Sequence, residues 1–256
     1  YMREVVPGSR TEYEIVDELK KVFNEICDWV KIVETPTLYW SDVECYLEVK
    51  NTGELYNCVA LPYTLTSSVE GRVIHGVLLG GDILLNGDPR DSIVLIEYPS
   101  EGDLVKYISM KLAEKGVKAI VFYDKTPSVL RRSVVVFDEV YSFNHGSPPS
   151  IPIVSMDRVN IDRLTHTCSG ECMVELHVKT IVEHNRLSKS LIAGLNGSGE
   201  REIHITAHHD HWFKGFSDNL IGVEILYQVA RSLKNWRGVN IVFISFTSEE
   251  IGAPNY

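Results

Sequence analysis

The sequence predicts an α/β protein that carries an inserted, β-rich α+β module, and three observations predict it. After residue 175 an apolar strand, an amphipathic helix and a second apolar strand follow one another, which is the pattern of a β-α-β crossover. Between residues 68 and 167 the texture is different: short strands broken by Gly80-Gly81, Asp88-Pro89 and Ser147-Pro148-Pro149. The 256 residues are 44% hydrophobic and 23% charged, globular proportions that exclude collagen-like, mucin-like and mostly disordered chains.

Taken in order, residues 11–27 read as a helix. Thr11 with Glu14 fits a capping box, and Ile15, Leu19, Val22, Phe23 and Ile26 recur at helical spacing. The period then changes to two: Val43, Cys45, Leu47 and Val49 alternate with polar partners, and a short strand is expected at about Asn57 to Leu61. Inside the glycine- and proline-punctuated stretch, strand Ile93 to Tyr98, a helix striped by Leu104, Ile108 and Leu112, a stop at Gly116 and strand Ala119 to Tyr123 form one β-α-β-like unit. A strand around Ile151 to Met156 closes it. Acids, histidines and nucleophiles do not gather at catalytic spacing between residues 68 and 167, so that module is read as structural or recognition-bearing. The expected division is residues 1–67 with 168–256 as one domain and residues 68–167 as its insert.

The last segment carries the chemistry. Ile203 to Ala207 reads as a strand, Asp218 to Lys234 as a helix with Ile221, Ile225, Val229 and Leu233 along one side, and Val239 to Phe246 as a strand covered on both faces. Parallel strands joined by a crossover end at the same sheet edge, where open α/β proteins place their sites. His208-His209-Asp210-His211 follows the first strand, Asp218 opens the helix, and Glu249-Glu250 follows the second strand. Imidazole with carboxylates suits zinc, and a bridging carboxylate can hold two ions roughly 3.5 to 4 Å apart around an activated water. A carboxylate outside the ligand set would move the proton, and adjacent Glu249 and Glu250 offer one residue for each task. Singly, each feature has a plainer explanation: Asp218 is an ordinary helix cap and Glu-Glu an ordinary surface pair. Their joint order is what points to a metal site, whereas His75, His145, His166, His177, His184 and His204 are read as ordinary histidines.

Charge and composition bound the partners. With 35 acidic and 25 basic residues the net charge is −10, which disfavours nucleic acid and anionic lipid. No apolar run approaches the roughly 20 residues of a membrane span, so an integral membrane protein is not expected. Tyr1-Met2-Arg3-Glu4 shows no signal-peptide pattern. The compartment stays open, with the cytoplasm as default and secretion as the other case. Cys27, Cys45, Cys58, Cys168 and Cys172 are odd in number and scattered, so reduced thiols are expected, with a Cys168–Cys172 bridge as the alternative. A single glutamine, Gln228, leans toward a heat-adapted source.

The runs Leu191-Ile192-Ala193-Gly194-Leu195-Asn196-Gly197-Ser198, Ala207-His208-His209-Asp210-His211-Trp212, Gly215-Phe216-Ser217-Asp218-Asn219 with Gly222, and Ser248-Glu249-Glu250-Ile251-Gly252 together resemble the co-catalytic di-zinc exopeptidases, which include bacterial leucyl aminopeptidases and glutamate carboxypeptidase. The likeness is close over residues 188–252 and looser around Gly8-Ser9-Arg10. Residues 68–167, with Ile93-Val94-Leu95, Gly116-Val117-Lys118-Ala119 and Ile151-Pro152, are similar to the protease-associated domain often inserted in these enzymes. The resemblance implies a phosphorylase/hydrolase-like zinc-peptidase sheet and two zinc ions. It implies that His208 and Glu250 each bind one ion, that Asp218 bridges both, that Glu249 is the general base of a metal-bridged water, and that Asp210 orients His208. The implied activity is removal of N-terminal residues from oligopeptides, with peptide as substrate and a homo-oligomer compatible with it.

In that family a further aspartate and a further histidine complete the two sites downstream, whereas here Glu250 is followed by six residues. The expectation is therefore an incomplete, C-terminally truncated sheet in which each ion lacks one protein ligand, with the activity of this chain in doubt. The competing expectations are a non-catalytic scaffold of peptidase fold, or carboxypeptidase or cyclase chemistry on the same site.

Overall fold

The computed structural model describes residues 4–135, 148–168, 170 and 172–251. His145 and Ser147, both named above, lie outside these, as does Gly252. The chain is a mixed α/β protein of two compact units. One holds the residues up to Tyr39 and those from Glu183 onward; the other runs from Trp40 to Val182.

The first unit opens with helix α1 (Arg10–Asn24). Its cap is Ser9, not Thr11: the Ser9 hydroxyl accepts the Glu12 amide at 3.1 Å while Glu12 Oε2 accepts the Gly8 amide at 2.9 Å. The capping box is thus Ser9-Arg10-Thr11-Glu12, two residues earlier than predicted, because Ser9 rather than Thr11 has the extended backbone a cap requires. Phe23 is fully buried on the inner face. It meets Tyr227 edge-on at 6.0 Å and Phe243 at 6.3 Å.

Segments of β9, β10 and β11 carry the site in this unit, which also holds the part of β1 (Trp29–Val49) up to Tyr39. Strand β10 (Glu202–His208) runs parallel to β11 (Asn240–Phe246), in register from Glu202 opposite Asn240 to His208 opposite Phe246. The last part of β9 (Met173–Leu195) lies antiparallel on the other edge of β11, with Leu195 opposite Ile241. Between β10 and β11 the chain crosses through α4 (Ile221–Ser232). The predicted crossover is present, but two details differ. Helix α4 begins at Ile221 rather than Asp218, because an irregular turn at Phe216–Leu220 holds Asp218 in extended backbone at φ −140°. The buried stripe is Val223, Leu226 and Ala230, whereas Ile221 and Ile225 face outward. Of the predicted stripe, Val229 and Leu233 do pack against the core while Ile221 and Ile225 do not, so the buried face is rotated from the predicted one.

The second unit contains the rest of a long strand β1 (Trp29–Val49), β2 (Glu54–Asn57), β3 (Val59–Ala60), β4 (Ser67–Leu79), β5 (Asp82–Leu85), β6 (Ser92–Glu97), α2 (Asp103–Glu114), β7 (Ala119–Tyr123), β8 (Ile153–Ser155), α3 (Arg158–Thr167) and the first part of β9. Strands β4, β6, β7 and β8 lie side by side and parallel, with β3 antiparallel beyond β8 and the start of β9 antiparallel on the far side of β4. Gly116 ends α2 at φ +84°, as predicted. Val94, Ile96, Ile108, Leu112, Ile120 and Phe122 are fully buried in its core. This unit is wider than residues 68–167, since β2 pairs with the later part of β1 and β9 pairs with β4, drawing flanking residues in.

The cysteines correct one expectation. Cys45 is bonded to Cys58 and Cys168 to Cys172, while Cys27 is free. Cys45 lies on β1 and Cys58 just past β2, the antiparallel partner of β1, a proximity their separation of 13 residues does not reveal.

Candidate metal centre at the ends of two parallel strands

The site belongs wholly to the first unit. Because β10 and β11 are parallel and in register, the chain leaves both at one edge, and the His209 amide continues the ladder onto the Phe246 carbonyl at 3.0 Å. The segment after β10 therefore sits directly beside the segment after β11.

His208 ends β10 and is buried. Its Nδ1 lies 3.0 Å from the Asp210 carbonyl oxygen and 3.7 Å from Asp210 Oδ1. That leaves Nε2 to face outward, 3.1 Å from Asp218 Oδ1 and 4.0 Å from Glu249 Oε2. One donor atom each from His208, Glu249 and Glu250 falls within 4.8 Å of the others. Asp218, largely exposed, reaches the same imidazole from the turn ahead of α4. Gly215 makes that turn feasible: its φ is +58°, and a Cβ there would come within 2.0 Å of the His211 ring.

Asp210 is fully buried beneath the cluster. Its Oδ2 accepts the Glu250 amide at 3.0 Å and its Oδ1 the Glu249 amide at 3.3 Å. The resemblance implied that Asp210 orients His208; the nearer contact to the imidazole is the Asp210 main-chain carbonyl, with the carboxylate at 3.7 Å. The grip on the Glu249-Glu250 turn was invisible in the sequence, because it joins residues 40 apart.

Electrostatics in this corner are lopsided. Burial, then the charges of Asp210, Asp218 and Glu249, push the Glu250 carboxyl up to about 8. Burial pulls the His208 imidazole down, but the hydrogen bond and charge of Asp210, joined by Glu249, more than offset it and raise the group to about 9. Four carboxylates thus crowd around one imidazole, and a divalent cation offsets such crowding. The donors are all oxygen or imidazole nitrogen, a set that suits zinc.

The other histidines of the motif stand apart. His209 is fully buried with Nδ1 at 2.9 Å from the Ser245 hydroxyl, and His211 is tied through its backbone to Val5. In the second unit, His177 groups with Glu48 and Glu175 closely enough to hold an ion. There, however, Lys50 donates to Glu175 Oε2 at 2.7 Å and the Ser68 hydroxyl to Oε1 at 2.8 Å, so both oxygens are engaged in an ordinary ion-pair cluster.

Comparison with known proteins gives three findings. Residues 190–254 match the sequence model of peptidase family M28. No curated protein matches the chain. Among solved structures, an aminopeptidase from Aneurinibacillus sp. strain AM-1 is similar at TM-score 0.67 and 20% identity, over 98% of this chain and 60% of that one. A zinc aminopeptidase from Bacillus subtilis gives 0.68 and 18%, over 97% and 58%. A peptidase M28 precursor from Shewanella amazonensis gives 0.79 and 16%, over 98% and 62%. These likenesses establish the fold, and the chain spans about three fifths of the length of each of the three.

Proposed function

We propose, from the match of residues 190–254 to the sequence model of peptidase family M28, that the protein is a zinc-dependent exopeptidase acting on the N-terminal residue of peptides. The observation that carries the reading is the convergence of His208, Glu249 and Glu250 within 4.8 Å at one sheet edge. In this reading His208, Asp218 and Glu250 would hold the zinc. Zinc, when bound, would supply Lewis acidity toward the scissile carbonyl and toward an attacking water.

The rest is done by the chain's own groups. Glu249 has its carboxylate half exposed at the mouth of the cluster, so it takes the proton from the attacking water and passes it to the leaving amine as the C–N bond breaks. Asp210 fixes the tautomer and orientation of His208 through Nδ1 and holds both glutamates by their amides. Residues 68–167 lie outside this chemistry and are proposed as the inserted protease-associated module.

Hydrolysis of amino-acid anilides with free and with blocked amines, before and after chelation, tests the proposal. Turnover that needs a free amine and is abolished by chelator supports it, and turnover indifferent to chelator refutes it. Replacing Glu249 with Gln is expected to cut turnover by about 10²- to 10⁴-fold with zinc still bound.

A further inference from the structure

Two buried ionisable side chains beneath the site, Glu12 and His209, have no part in the chemistry above. Glu12 sits in the first turn of α1 and is fully buried. Its Oε2 accepts the amides of Gly8 at 2.9 Å and Lys189 at 3.3 Å, its Oε1 accepts the Thr247 hydroxyl, and His209 Nε2 lies 3.8 Å from the same Oε1. No lysine or arginine side chain pairs with this carboxylate among the described residues. Helix capping needs only the Gly8 contact, so the remaining partners call for another explanation.

The partners lie on the two segments that carry the site. Thr247 stands two residues before Glu249, and His209 directly follows His208. Ser248, between Thr247 and Glu249, is buried and holds φ +69°, a conformation its side chain does not favour. A turn of that kind persists only when its neighbours hold it. Asp210 holds it from the far side through the Glu249 and Glu250 amides, and Glu12 holds it from the near side through Thr247.

We infer that Glu12 is a positioning residue: from α1 it locks Thr247 and thereby sets where the Glu249-Glu250 pair points. Its geometry stands independently of the proposed function; only its consequence for zinc rests on that reading. A side chain acting through fixed hydrogen bonds in a dry interior transmits position well, since each bond lost leaves a buried group unpaired.

The test is amide hydrogen exchange of the metal-free protein, read on peptides covering residues 246–251. Thr247→Val removes the hydroxyl at constant shape, and Thr247→Ser restores it. Thr247→Val is expected to speed exchange at Glu249 and Glu250 by about tenfold while β10 and β11 stay as protected as in the wild type, and Thr247→Ser to return the turn to wild-type rates. Thr247→Ala gives the same reading should the valine variant fold poorly. Unchanged exchange at the turn, faster exchange throughout the unit, or a serine variant as fast as the valine variant each overturns the inference. Zinc affinity, measured by chelator competition on the same proteins, is expected to fall about tenfold in Thr247→Val. A wild-type protein without zinc affinity would refute the function reading, while the exchange result alone decides the role of Glu12.

Discussion

Asp210 and Glu250 show how much a single residue's setting matters here. Asp210 is buried, yet both its oxygens are used by main-chain amides of the neighbouring loop. Replacing it with Asn puts an NH₂ against one of those amides and leaves a buried donor unpaired, at a cost of about 1–3 kcal/mol. Zinc affinity should fall by about 10- to 100-fold as His208 loses its orienting charge. Thermal unfolding together with chelator competition checks both, and an Asp210→Asn protein with wild-type values in each would remove Asp210 from the account. The residue types of the site were legible because His, Asp and Glu at two strand ends are rare in combination. What stayed hidden were contacts between residues distant in the chain, above all Asp210 to Glu250 and Glu12 to Thr247. Glu12 went unremarked because the capping box was placed at Thr11 with Glu14, two residues late.

At the scale of elements, helix α1 and the α4 crossover hold the site strands from one core. Phe23 is the largest fully buried side chain that α1 contributes, packed on Tyr227 of α4 and Phe243 of β11. Phe23→Ala should cost about 3–5 kcal/mol of stability, measured by denaturant unfolding. A loss under about 1 kcal/mol would mean that α1 is not anchored as described. Strand placement was legible from apolar runs, with β7 and β11 predicted to within a residue. Helix phase was less so: apolar residues at helical spacing lie on both the Ile221/Ile225 side and the Val223/Leu226/Ala230 side, and packing on the core rather than spacing selects the second. Helix α3 went unpredicted because only Ile161 and Leu164 mark its buried face.

For the whole molecule, the two units differ in how they are secured. The second is cross-linked by Cys45–Cys58 and Cys168–Cys172, and chain entropy alone assigns the first about 3 kcal/mol and the second about 2 kcal/mol. The remaining thiol, Cys27, is pushed up to about 11 by burial and then by the charge of Asp28, so at pH 8 it is almost wholly protonated and slow to alkylate. Thiol titration of the unfolded, unreduced protein should therefore give one thiol per chain, and five would contradict both bridges. Disulfides were unreadable in the sequence because pairing depends on which strands become neighbours. No helix among the described residues is long and apolar enough to cross a membrane. The account's central claim, that the β10 and β11 ends form a zinc site, is tested most directly by calorimetric titration of zinc into chelator-treated protein, wild type against the His208→Ala, Glu250→Gln double variant. The account predicts binding in the wild type and a loss of about a hundredfold or more in the variant; equal affinity in the two, or no binding in the wild type, would contradict it.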